Sequence, residues 1–148
     1  MIRELQFDDI ERCVQICEDN FKRLGYSYDV NRELELAILE NQYAKPYYYV
    51  YEQDGIIIAF FGFSESGWDS SSYGLGPCYI DESFQCQGIG RLCTTFRIEQ
   101  IKKLGGKNVF ATVLKETQWH LERFGFKEIG PPHKSNWIIM GLFMERLS

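Results

Sequence analysis

The chain has 148 residues, a length at which one domain spanning residues 1–148 with a substantial core is expected. Hydrophobic residues make up 45% and aromatics 16% of it, which excludes a disordered chain. Sixteen Lys and Arg against twenty-one Asp and Glu give a net charge of −5, which argues against broad nucleic-acid binding. The charge is uneven. Residues 1–74 carry six basic and fourteen acidic side chains (−8), and residues 75–148 carry ten and seven (+3), so two different surfaces are expected.

Five cysteines (Cys13, Cys17, Cys78, Cys86 and Cys93) form an odd set without a C-x-x-C pair. The opening residues Met1 to Asp9 are charged and polar, unlike a secretory leader. Reduced thiols in the cytoplasm are the expectation, with no metal site. The longest apolar runs, Ile56–Phe61 and Trp137–Phe143, fall far short of the ~20 residues that span a bilayer, so no membrane role is expected.

In chain order, Ile2–Phe7 reads as a strand, and Asp8 or Asp9 can cap a helix, with Glu11 in capping-box position to Asp8. Ile10, Cys13, Val14, Cys17, Phe21 and Leu24 recur at helical spacing up to Gly25. Asn31 can cap a second helix through Leu34, Ala37 and Ile38. Tyr47–Tyr51, Asp54-Gly55 and Ile56–Phe63 read as a hairpin. Ser64–Ser72 is a loop, and Tyr73–Ile80 is a strand in which Gly74, Gly76 and Pro77 predict a bulge or splay. A helix with Ile89, Leu92, Cys93 and Phe96 on one face runs to Gly105-Gly106. Strand Val109–Leu114, a helix over Glu116–Phe124, strand Phe126–Ile129, a Pro131-Pro132 loop and strand Trp137–Arg146 complete a mixed α/β order.

The segment from Tyr79 to Arg91 carries the chemistry. It reads strand, loop, helix, and Gly88 and Gly90 remove two Cβ atoms where the backbone amides of a helix N-terminus converge. Such a terminus is a ready phosphate site. Arg91 in the first turn opposes the helix dipole, a placement that an anion above it would repay. Gly90-Arg91-Leu92 lacks the G-K-[ST] of a nucleotide P-loop, and Cys93 stands where a dinucleotide fingerprint wants its third glycine. The plain alternative is a tight turn whose glycines only permit positive φ.

The pattern Gln85-x-x-Gly88-x-Gly90 between a strand and an amphipathic helix resembles motif A of the GCN5-related N-acetyltransferase (GNAT) superfamily. Arg123-Phe124-Gly125-Phe126, after the strand and helix that precede it, resembles that family's closing K-x-G-F signature. The resemblance implies a mixed, mostly antiparallel sheet flanked by helices, with a splayed fourth and fifth strand pair. It implies acetyl-CoA as co-substrate, with the loop residues Gln85, Cys86, Gln87, Gly88, Ile89, Gly90 and Arg91 around its pyrophosphate. Tyr79 and Ile80 would pair with the pantetheine arm, and a backbone N–H near Tyr79 would polarise the thioester carbonyl. The acetyl group would pass directly to a bound primary amine of a small molecule or peptide.

Three family positions depart from the pattern. Leu121 stands where many members place a Tyr that protonates the leaving thiolate. Gly74 stands where some use a Glu base, and Leu114, Lys115 and Glu116 replace a common Asn. A catalytically degenerate CoA- or acyl-CoA-binding module is therefore the competing reading, and a cysteine-based redox or metal protein is a third.

His120, beside Leu121, has an ordinary pKa near ~6.5 and suits proton transfer, unless it only faces solvent or caps its helix. His133 reads as structural or exposed. Cys78 and Cys86 flank the expected cofactor path, but direct amine attack needs no thiol, so both read as incidental. Cys13 and Cys17 read as small core residues. Tyr26 and Tyr28 lie in the segment after the first helix, and the resemblance implies that this segment lines the acceptor pocket, so both are expected to touch substrate. Trp68 with Glu65 and Asp69 would favour a cationic amine, and either carboxylate could take its proton through water. A solvated loop with one packed Trp is the alternative for that trio. The exposed aromatic strands make a homodimer a further expectation.

Overall fold

Seven strands form one sheet in the order β1-β2-β3-β4-β5-β7-β6 in this computed structural model, which describes residues 1–24, 34–35, 44–130 and 137–144. The strands are β1 (Ile2–Glu4), β2 (Pro46–Gln53), β3 (Ile56–Glu65), β4 (Ser72–Ile80), β5 (Asn108–Leu114), β6 (Lys127–Glu128) and β7 (Trp137–Phe143). The helices are α1 (Ile10–Leu24), α2 (Ile89–Lys103) and α3 (Gln118–Glu122). Every neighbouring pair is antiparallel except β4–β5. The sheet is thus the mixed, mostly antiparallel kind expected.

The hairpin is closed by Asp54 and Gly55, with φ of 52° and 78°. Positive φ at both central residues matches the twist of the flanking strands, which is why Asp-Gly marks such turns. β3 is a near-continuous apolar run because helices cover both its faces. On one side Phe60 packs with Val50 and with Ile10, Cys13, Ile16 and Cys17 of α1. On the other, Phe61 meets Ile89 and Cys93 of α2, while Phe63 meets Ile98 and Ile101 with the strands β5 and β7.

Local boundaries moved where side chains outbid propensity. β1 stops at Glu4, and a 3-10 turn over Phe7–Asp9 precedes α1. There Asp9, not Glu11, supplies the capping carboxylate, accepting the Gln6 N–H at 2.8 Å. The helix expected over Glu116–Phe124 is a 3-10 turn followed by the single-turn α3. Of the second helix expected from Asn31, only Leu34 and Glu35 are among the described residues; both are helical and Leu34 is buried.

Candidate functional site

β4 and β5 pair over three positions, Ser72↔Asn108 to Gly74↔Phe110, and then part, although β4 continues to Ile80 and β5 to Leu114. The parting begins where β4 also slips against β3. The register jumps between Phe61↔Cys78 and Phe63↔Leu75, around Gly76 and Pro77. Gly62 faces this slip, and a Cβ there would lie 2.7 Å from the Tyr47 carbonyl oxygen. Only glycine fits so close a backbone approach.

Antiparallel ladders alternate residues that bond the neighbour with residues whose N–H and C=O point away. Asp81 donates its N–H to the Ile58 carbonyl, so Tyr79, two residues back, also faces β3 with its backbone. The outward amides at the splay are therefore those of Cys78 and Ile80. The Tyr79 ring turns to the α1 face, 5.2 Å from Phe21 and 5.5 Å from Phe60. The Ile80 carbonyl is held by Asn20 Nδ2 at 3.0 Å and Gln85 Nε2 at 3.1 Å.

Gln85 is a brace. Its amide donates to Asn20 Oδ1 at 3.0 Å and accepts from Arg23 at 2.9 Å, pinning the loop after β4 to α1. Arg12 fastens the same corner through Asp81 and the Ile57 carbonyl. That pairing holds the Asp81 carboxyl below its usual range against the opposing effect of burial. Past the brace, Cys86 and Gly88 take φ of 62° and 82°, and Gly88 caps α2. The first-turn amides of Ile89, Gly90 and Arg91 have no acceptor within the helix and face outward, as anion donors do.

A cleft of about 460 Å³ adjoins this terminus, lined by Arg91, Thr95, His120, Arg123 and Phe124. Gly90 bridges it to the splay: a Cβ there would lie 3.5 Å from Ile80 Cδ1 and 3.9 Å from His120 Cε1. The imidazole shares a hydrogen bond with Thr94 Oγ1 at 3.0 Å. Burial, then the charges of Arg97 and Arg123, push the His120 pKa down from its ordinary value, so the ring is neutral at neutral pH. A neutral imidazole accepts protons, which favours a base over the acid that the Leu121 position calls for. Leu121 itself is buried, packed with Ile98, Ile101 and Phe126.

The geometry fits a known family. A sequence model of the acetyltransferase (GNAT) family matches residues 10–126. The chain belongs to this family. Its fold is shared by an aminoglycoside 6′-N-acetyltransferase complexed with coenzyme A (13% identity, covering 100% of this chain and 99% of that chain, TM-score 0.80). It is shared by the ribosomal-protein-S18-alanine N-acetyltransferase from Escherichia coli (18% identity, 100% and 96% covered, TM-score 0.73). Ard1 from Thermoplasma volcanium is similar as well (18% identity, 99% and 98% covered, TM-score 0.79). No curated protein matched the sequence.

Against this GNAT frame the expected residues divide into groups. Gln85–Arg91 and His120 lie along one path from the splay to the cleft. Glu65, Trp68 and Asp69 lie elsewhere, at the closed end of β4 where it pairs with β5. Asp69 is spent on its own loop, accepting from Ser71 N at 2.6 Å, Ser71 Oγ at 2.7 Å and Ser72 Oγ at 2.6 Å. Those bonds hold its carboxyl below the usual range. Glu65 accepts the Lys45 N–H at 2.8 Å, and Trp68 is 70% exposed, near Phe110. Tyr26, Tyr28 and His133 lie outside the described residues.

The sequence places Arg123 only in the closing signature and gives no role to the buried pair Thr94 and Arg97. A signal existed: Thr94 and Arg97 interrupt the apolar stripe of Ile89, Cys93, Ile98 and Ile101 on the covered side of α2. Among the described residues no group of three metal-ligating side chains is found. Burial pushes the Cys13 thiol up to about 12.

Proposed function

We propose that this GNAT protein is an N-acetyltransferase that binds acetyl-CoA along the splay and moves the acetyl group directly to a primary amine of a small molecule or peptide. The observation that carries the reading is continuity. A stretch of β4 with no strand partner on this side among the described residues runs straight into a helix N-terminus that no side chain caps, and the adjoining cleft offers Arg91, Arg123 and His120.

The residues present suit the cofactor's chemistry. Outward amides at Cys78 and Ile80 match an extended amide-bearing arm, and the amides of Ile89–Arg91 with Arg91 and Arg123 match its phosphates. When bound, acetyl-CoA supplies an activated thioester. The Cys78 N–H, at the start of the splay, is then the donor best placed to polarise its carbonyl, in place of the Tyr79 N–H. His120, neutral at neutral pH, takes the proton that a substrate ammonium must lose before its nitrogen can attack. We further propose that the protein works in the cytoplasm.

A CoA-holding module without turnover is the second reading, and buried Leu121 and paired Gly74 favour it, since neither position offers a proton donor or acceptor. A thiol-indicator assay of acetyl-CoA consumption across an amine panel separates the two. Amine-dependent thiol release supports the enzyme. Tight CoA binding with no release for any amine overturns it in favour of the module.

A further inference from the structure

Arg97 is 3% exposed, and among the described residues it joins no ion pair. Burying an unpaired cation costs several kcal/mol, so a guanidinium in this place calls for an account. Its bonds are specific. One nitrogen donates to the Gly62 carbonyl at 3.2 Å and the Gly76 carbonyl at 3.0 Å, the two sides of the slip from which the splay opens. The other terminal nitrogen donates to Thr94 Oγ1 at 3.1 Å, one turn back on α2. Thr94 is wholly buried, and its hydroxyl also bonds His120 Nε2 at 3.0 Å. Among the described residues the Arg97 Nε finds no acceptor. Two carbonyls and one hydroxyl satisfy only part of the fork, too little to explain the charge by packing alone.

We propose that Arg97 is a positioning residue for proton transfer: through Thr94 it sets the His120 imidazole against the splay. Its charge adds to burial in disfavouring protonation of that ring. The inference rests on the acetyl-transfer reading above and deepens it. A substrate ammonium delivers one proton to His120, leaving a neutral amine and an imidazolium, and the imidazolium is destabilised by the nearby guanidinium. The proton is therefore passed on readily, to solvent or the departing thiolate. Because one side chain both clamps the slip and holds the imidazole, the acceptor strand edge and the base are fixed to each other.

The charged and titratable groups around His120 are Arg91 and Arg97 from α2 and Arg123 from its own side of the cleft. From β4, Cys78 faces Arg97, and the Cys93 hydrogen bond with the Arg97 charge draws the Cys78 thiol below its ordinary range. Trp119 and Phe124 contribute rings without charge.

The test pairs two substitutions with two readouts on the full chain. Arg97→Gln removes the charge, and NMR titration of the His120 imidazole in the free protein should then move upward. The acid limb of kcat/KM should follow it. Thr94→Val keeps shape and removes the hydroxyl, so kcat should fall roughly 10- to 100-fold with KM for acetyl-CoA within about twofold. Thr94→Ser should restore most of the rate. An unmoved imidazole titration in Arg97→Gln, or an unchanged kcat in Thr94→Val, overturns the inference even where the wild type turns over well. Should Arg97→Gln not fold, the Thr94 pair decides alone. Absence of turnover by the wild type with every amine is a separate failure, that of the acetyl-transfer reading.

Discussion

Gly90 sits where side-chain size and charge have opposite consequences. A methyl group there would make ordinary contacts with Ile80 and His120, and alanine also favours a helix over glycine by about 1 kcal/mol. Gly90→Ala should therefore fold at least as stably as the wild type and hold CoA within several-fold. Gly90→Glu directs a carboxylate at the amides proposed to receive phosphate, and CoA affinity by calorimetry should fall at least roughly 100-fold. Equal affinity in the two variants would refute the phosphate site at this terminus. Cys86 presents the same loop from the other side, since a non-glycine residue at φ 62° is held there by its surroundings. The Gln85 brace to Asn20, Arg23 and the Ile80 carbonyl supplies the holding.

At the scale of elements the decisive feature is the slip between β3 and β4. A Cβ on Gly62 would press on the Tyr47 carbonyl at 2.7 Å and the Tyr48 ring at 2.8 Å. The carbonyl is backbone and cannot swing aside, so Gly62→Ala should cost about 1–3 kcal/mol in urea unfolding and weaken CoA binding by shifting Gly76 and Arg97. A variant as stable as the wild type would show that the slip relaxes freely. Much of this architecture was legible in advance. The Asp54-Gly55 hairpin, the α2 stripe and the Gly88–Gly90 terminus are local patterns, and local patterns carry their own signal. Long-range pairing does not. Which backbone amides of β4 face outward depends on its register with β3, so Tyr79 could not be told from Cys78 or Ile80 by reading along the chain. Trp68 and Asp69 lie at the closed end for the same kind of reason, since β5, which closes it, arrives some forty residues later. Arg97 was hidden because a charged residue on a helix is read as solvated, and only the carbonyls of Gly62 and Gly76 give it a reason to be inside.

Over the whole molecule the charge division has a location. Arg91 and Arg123, both from the positive half of the sequence, line one cleft beside His120, with Arg97 of the same half buried behind it, while acidic groups of the first half serve as clamps. Asp9 is the main clamp: it is 7% exposed, and it accepts from Arg3 at 2.7 Å and 3.0 Å while Arg3 also reaches Glu52. It thereby ties the edge strand β1 to the start of α1 and the end of β2. The Arg3 hydrogen bond holds the Asp9 carboxyl below its ordinary value of 3.8. A depressed carboxylate stabilises the fold above that value and loses its contribution as pH falls through the lower, folded one. His120 acts in a separate window with the same sign. Its folded pKa lies below 6.5, so on acidification the unfolded chain takes the proton first, and stability drops between 6.5 and the folded value. Thermal unfolding from pH 8 down to pH 3 should therefore show two declines. Asp9→Asn should lose about 1.5–3 kcal/mol at pH 7, and its deficit should shrink as pH falls below 4, where the unfolded wild-type carboxyl takes up its proton before the folded one does. His120→Asn should flatten the upper decline and leave the lower one. A deficit in Asp9→Asn that stays constant down to pH 3 would show that the Arg3–Asp9 pair does not govern acid stability.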